Sequence, residues 1–139
     1  MKILYPNKIL LQKAHTIKHN DNIKPLIKIM KSTLLAHKGI GLAATQIGIL
    51  KKLIILKVKK KLITIINPKI IYKSIEMFTS YEGCLSIPNH YKMVKRHKYI
   101  KIKGKTIYTT IKLTIKNNIS ACVQHEIDHL NGKLILKRT

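Results

Sequence analysis

Acidic residues are scarce in this sequence. Five of its 139 residues are acidic (Asp21, Glu76, Glu82, Glu126 and Asp128), against 28 lysines and arginines, and the formal net charge is +23. With so few carboxylates, a cluster of them cannot be put down to a generic polar surface. The excess of base fits an anionic neighbour such as RNA or an acidic surface. It fits equally well a coding bias acting on solvated faces, because nearly all the basic residues are lysine and isoleucine dominates the apolar ones. Cysteine is nearly missing too: Cys84 and Cys122 are the only two. One disulfide is the most they could form. With no export signal in the opening "MKILYPNKIL", two thiols point to a reduced, cytoplasmic compartment. No apolar run approaches the roughly 20 residues a bilayer demands, so no membrane partner is expected. No repeat or linker-like stretch divides the chain. One domain over residues 1–139 is expected, with about 68 % of the unfolded surface buried around a single core.

The elements follow from periodicity. "DNIKPLIKIMKSTLLAHKG" predicts a helix with Asp21 or Asn22 as N-cap, apolar positions at 23, 26, 27, 30, 34 and 35, and Gly39 as the stop. "LIILKVKKKLITIINPKIIY" predicts two or three short strands, turning near "VKKK" and broken at "NP". "YIKIKGKTIYTTIKLTI" alternates around Gly104 and predicts a hairpin. "NNISACVQHEIDHLNG" predicts a second helix, capped by Asn117 or Asn118 and stopped by Gly132. Strands and helices in separate blocks imply an α+β fold.

The chemistry sits in "HEIDH", His125 to His129. On a helix, residues four apart lie about 40° apart around the axis and about 6 Å along it, so both imidazoles can aim at one ion. Glu126, rotated about 100° from His125, can reach a water on that ion without ligating it. A solvated helix face carrying two histidines is the plainer explanation. Against it, two of the five acids fall inside "HEIDH" and a third, Glu82, lies in "YEGCLS".

A catalytic zinc-type site uses three protein ligands and keeps one position open. No acid follows Asp128, and the residue six beyond His129 is Ile135, so neither downstream ligand pattern of peptidases with this helix is available. The third ligand must come from upstream, from Glu82, Cys84, Cys122 or one of the histidines at 15, 19, 37, 90 and 97. The histidines lack any partner spacing and read as surface residues. Cys122, one turn before His125 in "SACV", reads as a small core residue beside the site. Cys84, in "EGCLSIP" before a Ser-Ile-Pro turn, can project a thiolate from an extended segment and is the choice.

Three segments in order, "GIGLAATQ" (Gly39 to Gln46), "EGCLS" (Glu82 to Ser86) and "HEIDH", together resemble the peptide deformylase family, and the resemblance covers nearly the whole chain. It implies an α+β fold with antiparallel strands packed around a central helix carrying the two histidines, preceded by an N-terminal helix. It implies removal of the N-formyl group from the initiator methionine of newly made polypeptides, with release of formate. The implied metal ligands are Cys84, His125 and His129. Fe²⁺ is the implied ion, although a thiolate with two imidazoles also suits Zn²⁺, Ni²⁺ or Co²⁺. Glu126 is implied as general acid/base, with Gln46 and the Leu85 backbone N–H around the formyl oxygen. Ile40 and Gly41 are expected to border the methionine pocket and to pair with the peptide backbone. The G-x-G there has neither the third glycine nor the lysine of a phosphate-binding turn, and its small residues let a backbone pass close. Tight packing is the plainer reading of them.

Arg96 is one of two arginines, with Arg138, in a chain that otherwise uses lysine. A planar fork suggests a bidentate pair with Glu82 or Asp128. Two departures from the family stand out. Many members continue into a long C-terminal helix that can dock on the ribosome, whereas this sequence stops at "LILKRT"; the basic surface is expected to substitute for it. Tyr81 and Tyr91 stand where many members carry charge, so preference among substrates is expected to differ. The rival readings are an endopeptidase of the wider HExxH kind and a basic RNA-binding protein with a closed, four-ligand structural metal.

Overall fold

The computed structural model describes residues 8–135. Arg138 and the first seven residues of the opening segment lie outside that range. A short 3-10 turn, Lys8–Leu11, leads to helix α1 (Lys24–Ala36). It buries Ile27, Met30, Thr33 and Leu34, the stripe expected of a helix lying on a core. Its start departs from expectation. Ile23 occupies the N-cap position without a side-chain bond, and Pro25 in the first turn supplies the fixed φ that replaces a cap. The Asp21 carboxylate instead accepts the Lys18 N–H at 2.9 Å.

Seven strands follow: β1 (Gly41–Ala43), β2 (Leu53–Val58), β3 (Lys61–Lys73), β4 (Met77–Cys84), β5 (Ile87–His97), β6 (Tyr99–Lys105) and β7 (Thr110–Lys116). Five of them form an antiparallel sheet in the order β1-β2-β3-β6-β7, while β4 and β5 pair only with each other. The β2–β3 stretch is two strands, turning at Lys59 and Lys60, both with positive φ as a tight hairpin requires. Asn67-Pro68 does not break β3. The ladder shifts register between Ile66 and Lys69, so the dipeptide is a bulge, the arrangement that lets a proline stand in a strand. Gly104 is likewise inside β6, not at its turn. It faces Ile111, and a Cβ there would come within 2.7 Å of Ile65. The turn is Thr106–Thr109, closed by the Thr106 N–H donating to the Thr109 carbonyl at 2.8 Å.

Helix α2 (Asn117–Leu130) has Lys116, not an asparagine, in the N-cap position; Asn117 takes φ 57, and Gly132 with φ 73 turns the chain after the helix. Val123, Ile127 and Leu130 pack on Ile54, Leu56, Ile65, Ile100 and Ile102 from one face of the sheet. Met30 and Leu34 of α1 pack on Leu42, Leu53, Ile55 and Ile66 from the other. The α+β class and the central α2 are as expected. The β4–β5 hairpin crosses beside α2 and brings Cys84 to it.

Candidate active site and metal centre

Burial on nearly every side of α2, from Ser120 to Leu130, keeps "HEIDH" out of water. Cys84 is the last residue of β4, and Leu85 and Ser86 connect it to β5. The hairpin register shifts between Gly83 and Cys84, and such an irregularity re-aims a side chain. The Cys84 Sγ lies 3.1 Å from the His129 Nε2. Ligand atoms of Cys84, His125 and His129 all fall within 4.8 Å of one another. The expected trio is therefore brought together from residues up to 45 apart in sequence.

A carboxylate relay sets the orientation of this group. The Nδ1 of His125 faces the Glu82 Oε1 at 3.2 Å, which leaves the other ring nitrogen for an ion. Arg96, 2 % exposed, donates to both oxygens of Glu82 at 2.8 and 2.6 Å and to the Asp128 Oδ2 at 2.6 Å. It takes both candidate carboxylates, not one, and ties β4, β5 and α2 together. Burial would raise the Glu82 pKa, but hydrogen bonds from Arg96 and His125, with their charges, hold it down at about 2. Burial drops the His129 pKa to about 3, so its imidazole is neutral, the form that ligates. Burial pulls His125 the same way, yet the Glu126 charge and hydrogen bonds to Cys84 and Glu82 raise it to about 10. A proton on His125 answers the same negative surroundings that would hold a cation. A soft thiolate, two imidazoles and a carboxylate behind one of them suit a single divalent transition ion.

Glu126 is 3 % exposed, and its Oε1 has no hydrogen-bond partner among the described residues. An orphaned buried carboxylate oxygen is unfavourable, and such groups collect where chemistry needs them. Burial foremost pushes the Glu126 pKa up to about 7, suited to a group that both takes and gives a proton near neutrality. Its other oxygen presses on Gly41: a Cβ there would stand 2.5 Å from the Glu126 Oε2 and 3.1 Å from the Cys122 Sγ. The glycine in "GIG" is needed for this approach.

Gln46 is 1 % exposed; its Oε1 accepts the Ala43 N–H at 2.9 Å, and its Nε2 donates to the Ser86 Oγ at 3.1 Å and to the Cys84 Sγ at 3.6 Å. Ser86 is wholly buried, and its place two residues after Cys84 is the one sequence signal for its role. A groove of about 940 Å³ runs past Ile40, Gly41, Gln46, Leu85, His125 and Glu126. Ile40 is 67 % exposed on its rim, its carbonyl already taken by the Lys57 N–H at 2.8 Å. Leu85 is half-buried, and a Cβ on Gly39 would meet its Cδ1 at 2.6 Å. Cys122 is half-buried in the groove wall, with burial pushing its thiol up and keeping it neutral. Of the five remaining histidines, His15, His19, His37 and His90 are exposed as expected. His97 departs: it is half-buried, and its Nδ1 bonds to the Ser74 carbonyl at 2.7 Å.

Antiparallel strands around a helix with two histidines and a buried glutamate, met by a thiol from a hairpin, define a hydrolase-like protein built on a metal-capable Cys-His-His centre. The sequence pattern of the family described as polypeptide deformylase matches residues 2–139. The peptide deformylase of Buchnera aphidicola from Cinara cedri is 44 % identical over 121 residues, covering 84 % of this chain and 81 % of that protein. That of Wigglesworthia glossinidia brevipalpis is 42 % identical over 137 residues, covering 95 % and 90 %. Among solved structures, the peptide deformylase of Thermotoga maritima superposes with a TM-score of 0.94 at 32 % identity, over 99 % of this chain and 95 % of that one. A class I type b peptide deformylase from Acinetobacter baumannii, bound to Met-Ala-Ser, gives 0.95 at 30 % identity, over 100 % and 98 %. The chain belongs to the polypeptide deformylase family. It is thus an enzyme whose activity is removal of the N-formyl group from nascent polypeptides.

Proposed function

We infer that this enzyme is a metal-dependent amide hydrolase acting on the initiator methionine of formylated peptides and releasing formate. The observation that carries the reading is the convergence of Cys84, His125 and His129 beside a buried Glu126 with an unpartnered oxygen. The three residues would hold one divalent ion, Fe²⁺ by family resemblance, with Zn²⁺, Ni²⁺ or Co²⁺ compatible. Bound there, an ion supplies a water whose pKa is near 7 and a Lewis acid for the formyl oxygen.

The residues of the chain do the rest. Glu126 takes the proton of the attacking water as the formyl carbon becomes tetrahedral, then gives it to the departing amine. Gln46 and the Leu85 backbone N–H stabilise the developing oxyanion, each such donor being worth about 10²–10³ in rate. The bonds of Gln46 to the Ala43 N–H and the Ser86 Oγ hold its amide in place beforehand, and the second Nε2 hydrogen, 3.6 Å by nitrogen from the Cys84 Sγ, is the one that would turn to the oxyanion. The β1 segment at Gly41 offers the peptide an open sheet edge beside the groove, since β1 ends the five-stranded order, and Ile40 borders it from the rim. The Acinetobacter relative bound to Met-Ala-Ser supports a methionine-first peptide there. Residues 1–139 are proposed to act as one catalytic domain.

No helix among the described residues is long and apolar enough to cross a membrane. Bacterial relatives and two free cysteines support a cytoplasmic place of action, with the basic surface toward the ribosome. The test is release of formate from formyl-Met-Ala-Ser by the metal-loaded protein and by Glu126→Ala. Wild type is expected to turn over, and the variant to fall by at least about 10², the lower range for a lost general base. Equal rates would remove Glu126 from the mechanism. Cleavage of an unformylated, unfolded protein would favour the endopeptidase reading instead.

A further inference from the structure

The face of the sheet turned away from α2 is covered by α1 only over β1 to β3. Its remaining half, on β3, β6 and β7, carries a pattern that folding does not account for. Lys69 stands directly opposite Lys103, which stands directly opposite Lys112. Three like charges in one row across three strands, with backbones about 5 Å apart, oppose the pairing they sit on. Lys101 and Lys105 flank the row on the same side of β6, and Lys116 faces Tyr99 from β7. All six lysines are exposed, and no acidic residue lies on any of the three strands. Within the same face Tyr72 and Tyr99 stack with ring centroids 6.0 Å apart, and the Lys101 Nζ lies 5.5 Å from the Tyr72 ring centre. Tyr72 is 44 % exposed.

Lysines spaced to track a phosphate backbone, around an aromatic surface on which a base can stack, are the parts of a single-strand nucleic-acid platform. We propose that the β3-β6-β7 face binds single-stranded RNA through the Lys69–Lys103–Lys112 row and the Tyr72–Tyr99 stack. The choice of RNA over DNA rests on the family activity, which places this enzyme beside nascent polypeptides. The platform lies on the face of the sheet opposite α2, which carries the histidines, so the two can be tested separately.

The experiment is fluorescence anisotropy of the metal-loaded protein with a labelled single-stranded RNA, measured across a salt series. The triple variant Lys69→Gln, Lys103→Gln, Lys112→Gln is compared with a charge-matched triple in lysines off this face, Lys13→Gln, Lys18→Gln, Lys133→Gln. Each phosphate contact on a single strand contributes about 0.7 to the slope of log K against log salt, so the face variant should lose about 2 from that slope. Its affinity should fall about tenfold or more, and Tyr72→Ala should weaken binding without changing the slope. The control triple should lose less than half as much. Removing repelling lysines should leave the thermal midpoint equal or higher, so a loss of binding cannot be laid to unfolding. Equal losses in the two triples would overturn the proposal in favour of unlocalised charge. Binding of anionic lipid vesicles that RNA cannot displace would overturn it in favour of a membrane face. Formate release from formyl-Met-Ala-Ser should be unchanged in both triples. Loss of that activity in wild type itself would sink the catalytic reading while leaving the lysine row to be judged by its slope.

Discussion

At the scale of single residues, the site depends on two positions where no other side chain does the same work. Gly41 is one. An alanine there would push its Cβ to 2.5 Å from the Glu126 Oε2, so either β1 or the carboxylate must move. Displacement of a catalytic group by about 1 Å can cost about 10² in rate. Gly41→Ala is expected to slow formate release by that order while metal content and circular dichroism stay unchanged. A full-rate variant would show that Glu126 has slack. Arg96 is the other. Its fork closes on two buried carboxylates at once, so Arg96→Met would remove the guanidinium from both, at a cost of about 3–5 kcal/mol in urea unfolding. Arg96→Lys, which cannot serve two partners in a plane, should fall between. Arg96 was legible in the sequence because an arginine is rare there and acids are rarer. Ser86 was not, because nothing in a lone serine announces that a glutamine 40 residues upstream will donate to it.

At the scale of elements, the helices were easier to see than the strands. The 3.6-residue period of α1 and α2 survives in the sequence because each helix buries a stripe, although neither helix has the side-chain cap expected of it. The β4–β5 hairpin gives no such signal: the buried positions of its two strands are Glu82, Ile87, Val94 and Arg96, two of them charged, so no apolar alternation marks it. Function overrode the pattern there, and Cys84 was found from its motif instead. Asn-Pro in β3 misled for a related reason. Asn67 accepts the Ile17 N–H and donates to the Ile17 carbonyl, each at 2.8 Å, from a left-handed φ of 51. A bulge so anchored reads locally as a break. Asn67→Ala should lose the two bonds and strain the backbone, for about 2–3 kcal/mol. Asn67→Gly relieves the strain and should recover about 1 kcal/mol of it. Identical unfolding midpoints for the two variants would show that φ carries no weight at this position.

At the scale of the whole molecule, the distribution of charge matters more than its total. Three of the five acids are spent inside, on Arg96, His125 and the groove, so they neutralise little of the surface. The ion pairs outside the site are Lys51 with Asp21 at 3.8 Å and Lys98 with Glu76 at 3.1 Å, both partly solvated and worth at most about 1 kcal/mol each among the described residues. Added salt therefore has little surface attraction to weaken and much repulsion to screen. Folding draws a charge of +23 into a small volume, and the lysine row on β3, β6 and β7 brings like charges closest. The buried Arg96 network is screened far less than the exterior. Sodium chloride raised from ~0.02 M to ~0.5 M should thus increase the thermal midpoint by several degrees, opposite to a protein held together by surface ion pairs. The Lys69, Lys103, Lys112 glutamine variant should show a smaller rise, because part of the repulsion has been removed. A midpoint that falls with salt would mean that attractive pairs dominate the exterior, and the lysine row would then need no anionic partner to explain its persistence.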